Sequence, residues 1–490
     1  MLPLPANRRQ PGPLLLLTVG TAGIVSADDD GTHRLTVAKA RSYLAARAKH
    51  RMFAASNLAD VVRVLGPHGM TVTVLGRAPI RIKLDDGPTI IGTGSLLDGD
   101  LETDWNALRR VDEWCWEHSV AFSSRGWTAE QLWRRTVPRR GWTFTNPLDR
   151  RGLAGGRKGI LRPGVYTNCL YVDLAAAYPH AMGTTLYPLR LTHTRQTRLD
   201  CDGIALATVW VHPADAGDWP PLYESRAYGQ VWRSGHHRGW YSLYDLRYAK
   251  EQGAKIDVEH VYRGADHVDL FGRWWALAQD LRTVGGRVGK AIANGLWGTL
   301  TFNRTVTRLR WQDHAWRPVS KRNPPTLGAC HVGATITAQV RYRLNTELLP
   351  SAPIYIDTDG GIIRHGQPLP PGADDDPVPG GWSVRHIMKR VDIRGSQAYA
   401  FTAGDGRQKV VLAGVSKPTL ADLGRRGGDP LDLYAHMARY GSLDRWRPTY
   451  VWDAEGTPVP LQPGWVQDEL PAGWTVADPQ TVGLQLPDPY

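Results

Sequence analysis

The spacing of apolar and polar residues changes character along the 490-residue chain. Through residues 1–145, short apolar runs (LLLLTV, MTVTVL, APIRIKL) have the length of strands. They interleave with amphipathic stretches (VAKARSYLAARAKH, LADVVRVL, DWNALRRVDEWCW) at helical spacing, which together predict an α/β region. A strand, YVDLA, follows and bends at Tyr178-Pro179. Next come a helical region from Trp274 to Trp297 and an Arg-bearing segment closed by Asn323-Pro-Pro. The stretch ATITAQVRYRLNTELL reads as a helix leading into a hairpin, PIYIDTDGGIIRH. Residues 367–381, QPLPPGADDDPVPGG, read as a surface loop, and no internal repeat is found.

One early run has two readings. Residues 8–27, RRQPGPLLLLTVGTAGIVSA, have the basic start, apolar run and small-residue ending of an export signal. Thr18, Gly20 and Gly23 interrupt the run and Pro11 and Pro13 stand at its entrance, so a buried strand and hairpin explain it equally well. With the rest of the chain in view, the strand is the expectation. No stretch approaches the ~18–20 apolar residues that span a bilayer. Cys115, Cys169, Cys201 and Cys330 share no C-x-x-C spacing, so neither a disulfide framework nor a zinc cluster is indicated and a reducing interior is expected.

Charge narrows the field. The chain has 59 Lys+Arg against 47 Asp+Glu, a formal net charge of +12, and 48 of its basic residues are Arg, beside 20 Trp. Arg forks suit phosphate and Trp faces suit base stacking, although GC-rich coding DNA produces the same bias without any function. A hydrophobic content of 42% with 22% charged residues excludes a mostly disordered chain. Residues 134–158 form a basic belt (Arg134, Arg135, Arg139, Arg140, Arg150, Arg151, Arg157, Lys158) with Asp149 its only acid. The last 40 residues carry six acids and no Lys or Arg.

Three segments carry candidate chemistry. In Tyr355-Ile-Asp357-Thr358-Asp359-Gly-Gly, two carboxylates two apart at a hairpin tip suit a divalent cation between protein and phosphate. Turns and sugar-nucleotide glycosyltransferases use the same Asp-x-Asp. In Tyr171-Val-Asp173-Leu174-Ala175-Ala-Ala-Tyr178-Pro, an apolar strand delivers one acid, which could equally be a helix N-cap. In Lys290-Ala-Ile-Ala-Asn294-Gly-Leu-Trp297-Gly298, Lys290 and Asn294 share a helix face and Arg287 falls near it, with Arg282 upstream. That stripe suits a triphosphate, and an ordinary solvated basic face reads the same way.

The order of the three resembles motifs A, B and C of family B DNA polymerases, which read D-x2-S-L-Y-P, K-x3-N-S-x-Y-G and Y-x-D-T-D-S. Gly152-Leu-Ala-Gly155-Gly156-Arg157 resembles the Tyr-x-Gly-Gly segment that touches template in that family. The compact length looks most like the protein-primed branch of phages and linear plasmids, over roughly residues 125–420. The resemblance implies an α+β, mixed right-hand polymerase: an antiparallel-sheet palm, helical fingers and a thumb, preceded by a degenerate exonuclease-like α/β domain. It implies DNA-directed DNA synthesis with two Mg²⁺ ions, Mn²⁺ being able to substitute, held by Asp173, Asp359 and Asp357. Leu174, Ala175, Tyr178, Lys290, Asn294, Arg282 and Arg287 would bind the nucleotide. Gly155, Gly156, Arg157, Trp297, Gly298, Thr358 and Tyr399 would meet DNA. The expected partners are template and primer DNA, dNTPs and a terminal priming protein, for a monomer acting without a membrane in the cytoplasm of a bacterial or phage-infected cell.

The chain departs from the family pattern at Ala176-Ala177, Gly295, Trp297 and Gly360. Gln397 stands where the family's Lys-x-Tyr segment has its Lys, with Arg394 or Lys389 as candidate substitutes. No Asp-x-Glu opens the chain; Asn57 and Asp60 fall near a second exonuclease motif, and Asp28-Asp29-Asp30 read as a turn. The expected layout is therefore 1–145 exonuclease-like without proofreading, 146–264 first palm part, 265–300 fingers, 301–394 second palm part and 395–490 thumb and acidic tail. The basic 303–328 stretch is either a DNA-encircling insertion or a plain hairpin. Outside templated synthesis, the alternatives are a template-relaxed, self-priming or terminal-transferase-like enzyme, a catalytically silent DNA-binding protein, and a glycosyltransferase.

Overall fold

The computed structural model describes most of residues 14–412, with short gaps, and strand fragments at 450–452, 458–460 and 475–476. Asp30, Asn57, Asp60, Arg139, Arg140, Asn323-Pro-Pro, residues 413–449 and the six tail acids lie outside the described residues. Two compact units divide the chain. The first comprises Met1–Leu153, Ala176–Ala205 and His260–Thr337, and the second Ala154–Ala175, Leu206–Glu259 and Ala338–Tyr490. The sheets and helices make a mixed α/β fold, in keeping with the expected class.

The early strands are β1 (Leu14–Gly20), β2 (Gly23–Asp28), β3 (Gly31–Thr36), β4 (Arg51–Ala54), β5 (Met70–Leu75), β6 (Ala78–Leu84) and β7 (Thr89–Gly92). The middle of the chain adds β8 (Arg157–Ile160), β9 (Gly164–Leu174), β10 (Tyr187–Thr194), β11 (Gly203–Val211), β12 (Tyr223–Arg226), β13 (Gly229–Trp232), β14 (Gly235–Ser242) and β15 (Lys255–Val268). There follow β16 (Val306–Gln312), β17 (Ala315–Arg322), β18 (Tyr355–Thr358), β19 (Gly360–Arg364), β20 (Trp382–Gly395), β21 (Ala398–Ala403) and β22 (Gln408–Leu412).

In the first unit, nine strands join in the order β17-β16-β5-β6-β7-β4-β1-β2-β3. The leucine run that resembles an export segment is β1, running parallel to β4 and antiparallel to β2. Leu14 and Leu16 enter one core with Phe53, Trp105 and Trp133, while Leu15 and Leu17 enter another with Ile24, Met52 and Ile90. A strand covered on both faces needs an unbroken apolar run, which accounts for the pattern. The basic 303–328 stretch contributes the hairpin β16–β17, which pairs with β5 along Arg310–Val306 and ties Arg310 to Asp85 at 2.7 Å.

A long helix, Gly272–Thr301, crosses this unit and is kinked at Gly286, whose φ of 50° and ψ of −122° are closed to residues with a Cβ. Glycines permit two close approaches: across the kink, Gly289 leaves no room for a Cβ against the Leu281 carbonyl of the same helix, and Gly295 lies against the Arg125 backbone. That contact explains glycine where the family motif has serine. Trp105, Trp114, Trp133, Trp274 and Trp275 are buried here, with the indole N–H of Trp114 donating to Asp280 and that of Trp133 to the Leu270 carbonyl. These five build a core and are not open to base stacking.

In the second unit, seven antiparallel strands run β22-β21-β20-β9-β19-β18-β8. The expected boundary at 395 falls at the end of β20, and β21 and β22 continue the same sheet to Leu412. Two buried arginines brace it. Arg341 makes two hydrogen bonds to Asp245, at 2.9 and 2.7 Å, and donates to the carbonyls of Ala154 and Gly155. Removing one partner from so dry an ion pair costs about 3–5 kcal/mol. Arg157 donates to Asn345 and to the Pro220 carbonyl, and its guanidinium lies 4.0 Å from the Trp232 ring centre. Burial pushes its pKa down to about 9, so it stays charged at neutral pH.

His331 supplies a test of the first unit. Its ring is 1% exposed, Nε2 lies 3.0 Å from the Pro188 carbonyl, and Nδ1 is buried without a partner. Burial lowers its pKa to about 4. The unfolded chain therefore takes up a proton first as pH falls, and stability is lost between the unfolded value of about 6.5 and the folded one. Urea unfolding at pH 7 and pH 4.5 is expected to show about 2–3 kcal/mol of extra loss in the wild type over His331→Gln. Equal losses would remove His331 as the cause.

Candidate active site

The seven-stranded sheet places the candidate carboxylates by register alone. Asp173 on β9 stands opposite Gly360 on β19, and Gly360 opposite Asp357 on β18. Asp173 also faces Ser383 on β20, and Asp357 faces Lys158 on β8. Directly opposed residues in antiparallel strands share a face, so Ser383, Asp173, Gly360, Asp357 and Lys158 form one row across five strands. At about 4.8 Å per strand, the two acids stand roughly 10 Å apart at Cα, with a glycine between them. A Cβ on Gly360 would come 2.5 Å from the Val172 carbonyl and 3.3 Å from Asp173 Oδ1, so glycine here keeps the Asp173 carboxylate close over the sheet.

The hairpin tip is strained in a specific way. Thr358 has a φ of 59°, an uncommon conformation for a β-branched residue, and the Asp359 N–H donates to the Asp357 carbonyl at 2.6 Å. Such strain costs of order 1–3 kcal/mol and persists only where surrounding structure imposes it. The Asp359 carbonyl in turn accepts the Leu174 N–H at 2.8 Å, which ties the tip to the end of β9. Ala176 and Gln397 also have positive φ, so all three segments bordering the row carry an irregular residue.

Cations and amides surround the row. The β20 ladder slips between Val384 and His386, and the extra residue, Arg385, brings its Nε within 3.2 Å of Asp173 Oδ2. Lys158 Nζ lies 3.7 Å from Asp357 Oδ1. The Gln397 amide is 3.2 Å from both Asp357 oxygens, and its backbone N–H donates to the Tyr355 hydroxyl. On the same face, two residues along the strands, lie Tyr171 and Tyr355, with Tyr399 packed on Tyr355; their phenols are raised first by burial and further by nearby groups including Asp357. They stay neutral, serving as packing and hydrogen-bonding groups and not as bases.

The first unit gathers the other motif residues. Tyr178 and Trp297 meet at 5.7 Å between ring centres, and the Trp297 indole donates to the Gly333 carbonyl. Arg287, Lys290 and Asn294 are exposed at positions i, i+3 and i+7 of the long helix, on its C-terminal side from the kink, with Gly298 a turn further on. Arg282 precedes the kink and is half-buried.

Several expectations need correction. Arg157 is fully buried, so its side chain does not face template. Tyr399 is 5% exposed and packs on Tyr355 and Phe401. Leu174 and Ala175, expected to bind the nucleotide, have their N–H groups already donated to the Asp359 and Gly381 carbonyls. Arg394, a candidate for the missing lysine, is paired with Asp392. Gly155 is exposed, with its carbonyl held by Arg341, and Gly156 is half-buried. Lys158, Arg385, Gln397 and Ser383 are the neighbours that sequence reasoning left out of the site; only the Gln397 departure and the position of Lys158 in the basic belt pointed toward them.

The oxygen-only donors suit a hard cation such as Mg²⁺ or Mn²⁺. Among the described residues no three His, Cys, Asp or Glu side chains converge on a point. A pair of carboxylates flanking a glycine fits Mg²⁺, which is commonly held by one or two carboxylates and completed by water and substrate phosphate. The steric demand at the row can be tested by stability. Gly360→Ser, which restores the family's residue, is expected to cost about 1–3 kcal/mol through overpacking. Gly155→Ser, with nothing within 4 Å of its Cβ, should change stability by under about 0.5 kcal/mol. Denaturant midpoints of the two variants check this, and equal values would mean that Gly360 is not under steric demand.

No protein-family model and no curated protein matches the chain. Solved structures do. Phi29 DNA polymerase in complex with primer-template DNA and incoming nucleotide is similar at a TM-score of 0.63 and 13% identity, over 84% of this chain and 94% of that one. The same polymerase with single-stranded DNA is similar at 0.62 and 12% identity, over 96% of this chain and 99% of that one. The chain thus has a fold similar to that of phi29 DNA polymerase along nearly its whole length.

Proposed function

We propose that this chain is a DNA-directed DNA polymerase that adds dNTPs to a 3′ hydroxyl and lacks 3′–5′ exonuclease activity. The observation that carries the reading is the row Asp173–Gly360–Asp357, on one face of the second unit's sheet in a chain whose fold resembles that of a polymerase. Asp173 and Asp357, with Asp359 at the adjoining tip, would hold Mg²⁺. The metal, when bound, lowers the pKa of the attacking hydroxyl and stabilises charge on the leaving pyrophosphate. The chain's own residues bind and orient. Lys290, with Arg287 beside it on the exposed helix face, supplies cations for a triphosphate, and Asn294 supplies an amide one turn on. Tyr178, braced against Trp297, offers an aromatic edge to a sugar. A glycosyltransferase would leave this helix face without a task.

The lack of proofreading rests on β1. Hydrolysis by two metals needs converging carboxylates, and β1, an inner strand of the first unit's sheet, is Leu-Leu-Leu-Leu-Thr-Val-Gly and carries none. Asp28, at the end of β2, is 5% exposed and already engaged by Tyr43 and Arg47.

Extension assays with Mg²⁺ and dNTPs on primed and unprimed single-stranded templates, side by side, test the main reading. Incorporation on the primed template that follows template sequence is expected. Asp173→Ala and Asp357→Ala should each lower it at least about 10³-fold, since a metal contributes several kcal/mol of transition-state stabilisation. Intact synthesis in both variants would sink the assignment, and incorporation without template would favour a terminal-transferase-like enzyme. Labelled single-stranded DNA without dNTPs should stay intact; Mg²⁺-dependent 3′ trimming that survives Asp173→Ala would overturn the second claim.

A further inference from the structure

The ion pairs of the second unit divide sharply by exposure. Arg341 and Asp245 have side chains 0% and 3% exposed and form a permanent brace. Arg385 and Asp173 are 38% and 19% exposed, and Lys158 and Asp357 are 41% and 15% exposed. Partly exposed pairs of this kind contribute little to stability, so they are easily exchanged. Each of the two row carboxylates carries one such cation, and the cations arrive from opposite flanks: Lys158 from edge strand β8, by direct register, and Arg385 from β20, by a bulge. A bulge that aims a cation at one carboxylate disrupts the ladder without adding packing, which is the usual mark of a functional placement.

We propose that Arg385 and Lys158 are exchangeable counter-ions, which neutralise Asp173 and Asp357 until a divalent cation arrives and then turn to the phosphates of bound DNA. The proposal rests on the reading of these carboxylates as metal ligands. In the free chain the two row acids face two cations and cancel, and Asp359 at the tip adds one negative charge. A divalent ion held by the acids leaves Arg385 and Lys158 as uncompensated positive charge on the rim of the same face. That rim then attracts an anionic backbone, so metal loading and DNA binding strengthen each other. Gln397 fits this arrangement: its amide orients Asp357 through both oxygens and adds no charge to be displaced.

Mn²⁺ titration of the full chain without DNA, followed by the electron-spin signal of the free ion, tests the first half. Arg385→Met loses both a competitor for Asp173 and a repelling charge, so it should bind Mn²⁺ roughly tenfold tighter. Lys158→Met should shift affinity the same way by less, and Arg385→Lys should stay near wild type, which separates charge from folding effects. The second half is read from primer-template binding in Mn²⁺ against KCl concentration, where Arg385→Met should lower the log–log slope by about 0.9. Wild-type Mn²⁺ affinity or an unchanged slope in Arg385→Met would overturn the proposal. If Asp173→Asn and Asp357→Asn left Mn²⁺ binding intact, the metal reading itself would fail, and with it the function proposed above. If they abolished binding while Arg385→Met changed nothing, only the counter-ion role would fall.

Discussion

Everything at the candidate site depends on the pairing register of β9, β19 and β18. Side chains alternate across a strand, so a slip of one residue would turn Asp173 or Asp357 to the opposite face and place Val172 or Ile356 in the row. The register is held from several directions. Val172, Ile356 and Ile362 are buried, the Leu174 N–H is bonded to the Asp359 carbonyl, and Gly360 and Gly361 have backbone atoms where a Cβ would need to be. The hairpin glycines are thus a packing requirement of the sheet as much as a turn device.

Around that fixed row, the two kinds of cation have different work. Arg341 and Arg157 are dry, held by fixed partners, and belong to the fold. Arg385 and Lys158 are half in water and belong to whatever visits the carboxylates. Arginine enrichment in the sequence gives no hint of this division, because burial separates the two classes and composition does not. The same holds for tryptophan: much of what could have been a base-stacking surface fills the core of the first unit.

The sequence carried the site's chemistry further than its geometry. Asp173, Asp357 and Asp359 could be singled out because each stands at the end of a short apolar strand and the strands follow one another in a telling order. The leucine run could be recognised as a strand because glycines and prolines break its pretence of a longer span. Burial of Arg157 and Tyr399 was illegible, since no local pattern says that a basic or aromatic residue is packed away from solvent. Arg385 was illegible on different grounds: its place depends on a ladder irregularity, and bulges follow from the pairing of distant strands. The spent amides of Leu174 and Ala175 likewise depend on carbonyls some 185 to 206 residues away in sequence.

Arg157 is enclosed on the other side of the sheet from the row. It pairs in register with Thr358, one residue from the carboxylate row and facing away from it. Its hydrogen-bond partners, an amide and a carbonyl, are neutral. A cation enclosed in this way is shielded from mobile ions, so its attraction to Asp245 is little attenuated by added salt. The second unit therefore holds two kinds of positive charge: an outer kind, at Arg385 and Lys158, that ionic strength erodes, and an inner kind that it scarcely touches.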